Sequence, residues 1–297
     1  MKKPVFTGTC TAIVTPFTES GINYPVLYQL IDRQIDASVQ AILLCGTTGE
    51  ASTMTEAEQL ELIQRGCEYI NGRTAVIAGT GSNNTAHAAE LSKKAEEYGA
   101  DAVLIVTPYY NKATPTGLIK HFNSIADSIT IPVITYNVPS RTGVDIPMDV
   151  YRELSKHPNI NGVKEASGSI AKVSRIIGSL GDNFCVWSGN DDQNVAITAL
   201  GGKGAISVLS NICPQLTEHM ITACLNGRIQ TAARLQNTLM PIIDALFCEV
   251  NPIPCKEALA ILGYDTAYLR LPLCSMSDEN KSRLRKELEL LKNMTTG

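Results

Sequence analysis

TAHAAELSKKAEEYGADAVLIVTPYY, residues 85–110, contains one complete unit of the fold. Ala86, Ala89, Leu91, Ala95 and Tyr98 fall on helical spacing, and Gly99 stops the helix. The apolar run 102–106 then reads as a strand, too short for a helix, and it ends in a polar turn that carries two tyrosines.

The unit recurs in both directions. Short β-branched runs at 11–14, 41–44, 75–78, 102–106, 132–135, 161–163, 184–187 and 205–208 are bounded by Gly, Pro or Asn and read as strands. Between them lie helical patterns; Thr55 with Glu58 forms a capping box opening a helix that runs to about Asn71, where Gly72 ends it. Alternation at intervals of roughly 20 to 35 residues predicts parallel βαβ units.

An open doubly wound sheet would ordinarily place a glycine-rich phosphate loop after its first strand. Here TPFTES follows that strand, GTGSNN (79–84) holds only the first half of a dinucleotide fingerprint, and GGKGAIS (201–207) lacks P-loop spacing. Eight units therefore predict an α/β fold, a (β/α)8 TIM barrel over residues 1–227. Beyond Gly227 the strand signals stop, and 228–247, 254–262 and 277–294 read as helices. Residues 228–297 are expected to form a C-terminal helical appendage that packs on the barrel or makes a subunit contact.

Composition narrows the function. The chain has 297 residues, 25 Lys and Arg against 29 Asp and Glu, and a net charge of −4 with cations scattered rather than blocked. Nucleic acid and anionic membranes are poor partners for such a surface. No run approaches a membrane span, and the first residues lack a signal-like apolar stretch, so a cytoplasmic location is expected. Nine cysteines without C-x-x-C spacing read mostly as buried small residues in a reducing compartment. Four histidines, at 87, 121, 157 and 219, lie far apart without metal-ligand spacing, so no metal site is expected.

In such barrels chemistry gathers at the C-terminal strand ends. Those positions offer Thr47 and Thr48 after strand two, Tyr109 and Tyr110 after four, Tyr136 and Arg141 after five, Lys164 at six, and Ser188 and Gly189 at seven. There is no carboxylate pair. A partly desolvated lysine in a barrel mouth exposes its free amine as a nucleophile toward carbonyls, which suggests Schiff-base chemistry. Hydroxyls and phenols such as Thr47, Tyr110 and Tyr136 can shuttle the protons this requires. Arg141, in NVPSRTG, offers a planar fork to a carboxylate or, more simply, a surface ion pair.

GTTGE (46–50), TPYYNK (107–112), YNVPSRTG (136–143), GVKEASG (162–168) and NPIPCKEAL (251–259) together resemble the pyruvate-dependent class I aldolases, and within them the dihydrodipicolinate synthases. The similarity runs essentially end to end. It implies an enzyme of lysine and diaminopimelate biosynthesis that condenses pyruvate with L-aspartate 4-semialdehyde and uses no cofactor. By the same resemblance Lys164 is the imine-forming lysine and Tyr136 the phenol that assists it. Thr47 links Tyr136 to Tyr110, which in the family reaches across a dimer interface into the neighbouring site. Thr48 holds the pyruvate carboxylate by its hydroxyl and backbone N–H. Arg141 receives the carboxylate of the semialdehyde, and Gly189 and Ile206 line the pyruvate pocket. A homo-oligomer is implied, a tetramer built as a dimer of dimers.

Other family members split sugar acids, among them N-acetylneuraminate lyases, and a non-catalytic pyruvate-binding regulator on the same barrel is a further alternative. The Thr47-Thr48 doublet and Arg141 favour the semialdehyde. At the lysine-inhibition site of many relatives, Asn83 and Tyr109 match, but Glu56 and Gln59 replace histidines and His87 stands in place of a glutamate. Weak or absent feedback by lysine is expected.

Overall fold

The computed structural model describes residues 2–295; Met1, Thr296 and Gly297 lie outside it. Eight parallel strands close into a barrel in simple sequential order: β1 Gly8–Ala12, β2 Ala41–Leu44, β3 Ala75–Gly79, β4 Ala102–Val106, β5 Val133–Asn137, β6 Ile160–Glu165, β7 Cys185–Ser188 and β8 Gly204–Ser207. A two-residue-per-strand hairpin, Phe17–Thr18 with Gly21–Ile22, lies outside the barrel.

The first strand starts three residues earlier than its pattern suggests, and Val14 lies beyond its end. Gly8, Thr9 and Cys10 are small or polar and do not read as a strand, yet all are buried and pair with β8. At the other end of the sheet β6 runs on through Lys164 and Glu165, two charged residues that alternation places outside a strand. Gly162 within it has no room for a side chain, since a Cβ there would stand 2.0 Å from the Cys185 carbonyl oxygen.

Helices on the outside are α1 Tyr24–Asp36, α2 Glu56–Ile70, α3 Thr85–Glu97, α4 Pro115–Ala126, α5 Pro139–Thr142, α6 Met148–Lys156, α7 Ile170–Leu180, α8 Asn194–Ala199 and α9 Pro214–Leu225. The capping box forms as expected: Thr55 Oγ1 accepts from the Glu58 N–H while Glu58 Oε2 accepts from the Thr55 N–H. Asn71 closes α2 in the left-handed conformation. The turn-rich NVPSRTG segment differs from its loop reading, because Pro139 pre-sets a single helical turn that Gly143 closes at φ +68°.

Two apolar layers result. Phe6, Cys10, Leu43, Ile77, Leu104, Ile134, Trp187 and Ile206 fill the barrel interior, and Trp187 stacks on Phe6 while its indole N–H donates to the Phe6 carbonyl. The larger layer lies between strands and helices. The last three helices, α10 Ile229–Leu246, α11 Ile253–Ile261 and α12 Asp278–Thr295, pack on α8, α9 and one another. No helix among the described residues is long and apolar enough to cross a membrane.

Candidate active site

A one-residue bulge sets the centre of the site. Val133 pairs with Ile160, but Ile134 pairs with Gly162, so Asn161 is the extra residue and Tyr136 comes to lie beside Lys164. Without it Tyr136 would face Val163, and a one-residue slip would turn the lysine to the other face of the sheet. Both side chains are nearly buried, and Lys164 Nζ stands 4.5 Å from the centroid of the Tyr136 ring. Gly189 flanks them: a Cβ there would lie 2.9 Å from that of Ala166 and 3.1 Å from Lys164 Cγ, so only glycine leaves the lysine stem its place. Ile206 is buried in the same barrel-interior cluster as Tyr136.

The strand end after Lys164 is fixed by its neighbour. The buried Glu165 carboxylate accepts from Asn137 Nδ2 at 3.0 and 3.1 Å, from the Tyr151 hydroxyl at 2.8 Å and from the Ser167 N–H at 2.8 Å. Burial and this carboxylate push the Tyr151 phenol well above its usual range, so it stays a donor.

After β2 the turn 45–50 begins and ends in left-handed conformations, at Cys45 (φ +53°) and Glu50 (φ +56°). The N–H groups of Gly49 and Glu50 close it onto the carbonyls of Gly46 and Thr47. Thr48 is buried; its Oγ1 accepts from Asn251 Nδ2 at 3.0 Å, while neither its O–H nor its N–H has an acceptor among the described residues. Two buried donors on one residue, neither with an acceptor, are suited to an anion.

The turn is held from below. Thr15 Oγ1 donates to the Gly49 carbonyl at 2.7 Å. Lys256, on α11, donates to Glu50 Oε1 at 2.6 Å and to the carbonyls of Thr15 and Tyr268 at 3.0 and 2.6 Å; the lysine and glutamate side chains are both fully buried. Burial holds the Lys256 ammonium below the ordinary lysine range, with the Glu50 carboxylate opposing it.

Thr47, Tyr136 and Arg141 line one cavity of about 370 Å³ together with Gln59, His87 and Tyr109. Thr107 Oγ1 donates to Thr142 Oγ1 at 3.0 Å, which fastens the α5 turn over the mouth, and Arg141 Nη2 donates to the Asn251 carbonyl at 3.4 Å. Cys45 also lines the cavity, but burial pushes its thiol up to about 12, so it is no nucleophile at neutral pH. Tyr110 is apart from the rest: it sits at φ +67°, is 93% exposed and does not line this cavity. Asn83 Nδ2 donates to the Tyr109 carbonyl at 3.2 Å, and His87 Nδ1 lies 3.7 Å from Glu56 Oε2, so the candidate effector residues adjoin the same cavity. Among the described residues no three His, Cys, Asp or Glu side chains converge as a metal site.

Residues 5–291 match the model of the dihydrodipicolinate synthetase family. The chain belongs to that family. It is 52% identical over 286 residues to the 4-hydroxy-tetrahydrodipicolinate synthase of Thermoanaerobacter pseudethanolicus, covering 96% of each chain. The crystal structure of dihydrodipicolinate synthase from Aquifex aeolicus superposes with a TM-score of 0.95 at 41% identity, covering 97% of this chain and 98% of the other. The chloride-inhibited dihydrodipicolinate synthase from Acinetobacter baumannii, solved in complex with pyruvate, superposes at 0.94 with 39% identity, covering 96% and 98%.

Family membership draws attention to residues that the strand-end reading passed over. Asn251 and Lys256 lie in the NPIPCKEAL motif, but a lysine in a helical stretch reads as a surface charge, and no local pattern shows that it is ion-paired 206 positions away. Glu165 follows directly on Lys164 and Glu50 stands two positions after Thr48, and only their burial marks them.

Proposed function

We infer that this protein is a lyase that condenses pyruvate with L-aspartate 4-semialdehyde to give 4-hydroxy-tetrahydrodipicolinate, a step of lysine and diaminopimelate biosynthesis. The observation that carries the reading is a buried lysine amine beside a tyrosine ring at the mouth of a barrel of this family, with a buried pair of unpartnered donors at Thr48.

Thr48 holds the pyruvate carboxylate, and Gly189 and Ile206 bound the pocket for its carbonyl end. The Lys164 amine attacks the keto carbon, and the carbinolamine oxygen leaves as water, protonated through Tyr136 and Thr47, to give an imine. Loss of a methyl proton gives the enamine, whose carbon attacks the semialdehyde carbonyl. The amine of the second substrate then attacks the imine carbon, the ring closes, and Lys164 leaves as the free amine. Arg141 holds the semialdehyde carboxylate.

Tyr110 completes the relay only from a neighbouring subunit. Its exposure and left-handed backbone suit a residue that reaches outward, which supports a homo-oligomer; the family resemblance makes that assembly a tetramer built as a dimer of dimers. Residues 1–227 act as the catalytic barrel and 228–297 as its helical cap; the site of action is the cytoplasm. A coupled assay with pyruvate tests the second substrate. Turnover is expected with the semialdehyde; no turnover there, but pyruvate release from N-acetylneuraminate or a 2-keto-3-deoxy sugar acid, would assign the chain to the sugar-acid branch.

A further inference from the structure

We propose that Asn251 is a positioning residue that sets the polarity of the Thr48 hydroxyl, so that it meets the substrate as a donor. The proposal rests on the reading of Thr48 as the grip for the pyruvate carboxylate. A threonine hydroxyl has one proton and two lone pairs and rotates to suit its neighbours. The Asn251 amide nitrogen lies 3.0 Å from Thr48 Oγ1, while the amide oxygen Oδ1 is buried with no partner; in this amide orientation the nitrogen donates, so the hydroxyl accepts there and turns its proton away. With Thr48 2% and Asn251 6% exposed, bulk water does not compete for this bond. The Thr48 O–H and N–H, neither with an acceptor among the described residues, are left for an incoming anion. An acceptor in place of that amide would draw the proton to itself and present the carboxylate with oxygen lone pairs.

The backbone that carries Asn251 is anchored on both sides. The Asn251 carbonyl accepts from Arg141, and five residues on, Lys256 is ion-paired with Glu50 at the end of the very turn that carries Thr48. One segment, distant in sequence, thus grips both the proposed pyruvate-binding turn and the proposed semialdehyde-binding arginine.

Asn251→Asp keeps the size and replaces the donor with an acceptor. The expected result is a rise in pyruvate KM of about 10- to 100-fold with a smaller change in kcat. The excess over wild type should shrink as the pH is lowered and the introduced carboxyl regains a proton to donate. The introduced charge also repels pyruvate directly, and a Thr48→Val background separates the two effects, because repulsion persists there while hydroxyl polarity has no group to act on. The proposal expects Asn251→Asp to raise KM far less in that background than in the native one. An equal rise in both backgrounds, or no rise in the native one, overturns it. Asn251→Ala, which frees the hydroxyl to rotate, should raise KM by an intermediate factor, and an unchanged KM there overturns the proposal even where Asn251→Asp does not fold. Borohydride trapping of pyruvate on the wild-type protein keeps the two levels apart: no adduct defeats the functional reading itself, whereas a wild-type adduct with an unmoved KM in the variants defeats only the role of Asn251.

Discussion

Replacing Lys256 with methionine should cost more stability than any surface change, because it leaves the Glu50 carboxylate buried without its counter-ion. Both side chains are fully buried, with the ammonium 2.6 Å from the carboxylate. Removing one partner of such a pair costs about 3–5 kcal/mol. Taking ~2.1 cal/mol/K of unfolding entropy per residue over 297 residues gives roughly 0.6 kcal/mol/K, so Tm should fall by about 5–8 °C. Adding Glu50→Gln removes the stranded charge and should recover part of that loss. Recovery stays incomplete, since the carbonyls of Thr15 and Tyr268 still lack the donor that Lys256 gave them. Calorimetry on the two single variants and the double variant measures the coupling. A Lys256→Met Tm within about 1 °C of wild type, or a double variant no more stable than Lys256→Met, would refute the reasoning.

The two threonines should separate kinetically. Thr47→Val should lower kcat by roughly 10- to 100-fold with pyruvate KM little changed, and Thr48→Val should raise pyruvate KM by a similar factor, as steady-state kinetics will show. His121 should shape the acid limb of stability: burial lowers its pKa from 6.5 to about 4, its Nδ1 bonds to Thr85 Oγ1, and its Nε2 has no partner. Because the folded pKa is depressed, that stability is whole above about pH 6.5 and is lost as pH falls toward 4; in His121→Leu the unfolding free energy from denaturant titrations should fall by about 3 kcal/mol less across this window than in wild type. L-Lysine should inhibit weakly or not at all, since Glu56, Gln59 and His87 alter the effector side of the cavity; inhibition by submillimolar lysine in the coupled assay would contradict this.

The barrel was legible because its outer layer demands β-branched runs and amphipathic helices, and both patterns are local. Strand ends were not, where the interior wants residues that look unlike strand: Gly8 and Thr9 opening β1, Lys164 and Glu165 closing β6. Position in the barrel alone makes Lys164, Tyr136 and Thr47 candidates. The bulge at Asn161 that brings Tyr136 beside Lys164 leaves no mark in the sequence, because it is a property of two strands and not of one. For the same reason Asn251 and Lys256 carry no local signal: their partners Thr48 and Glu50 lie more than 200 positions away, and a periodic pattern carries no information over that distance.

Everything proposed for the site turns on the Lys164 amine forming an imine with pyruvate. Borohydride reduction in the presence of pyruvate, followed by peptide mass mapping, examines that bond directly. A reduced pyruvate adduct on Lys164, formed equally well in the presence of chelators and absent from Lys164→Ala, is the predicted result; no adduct, or an adduct on another lysine such as Lys256, would contradict it.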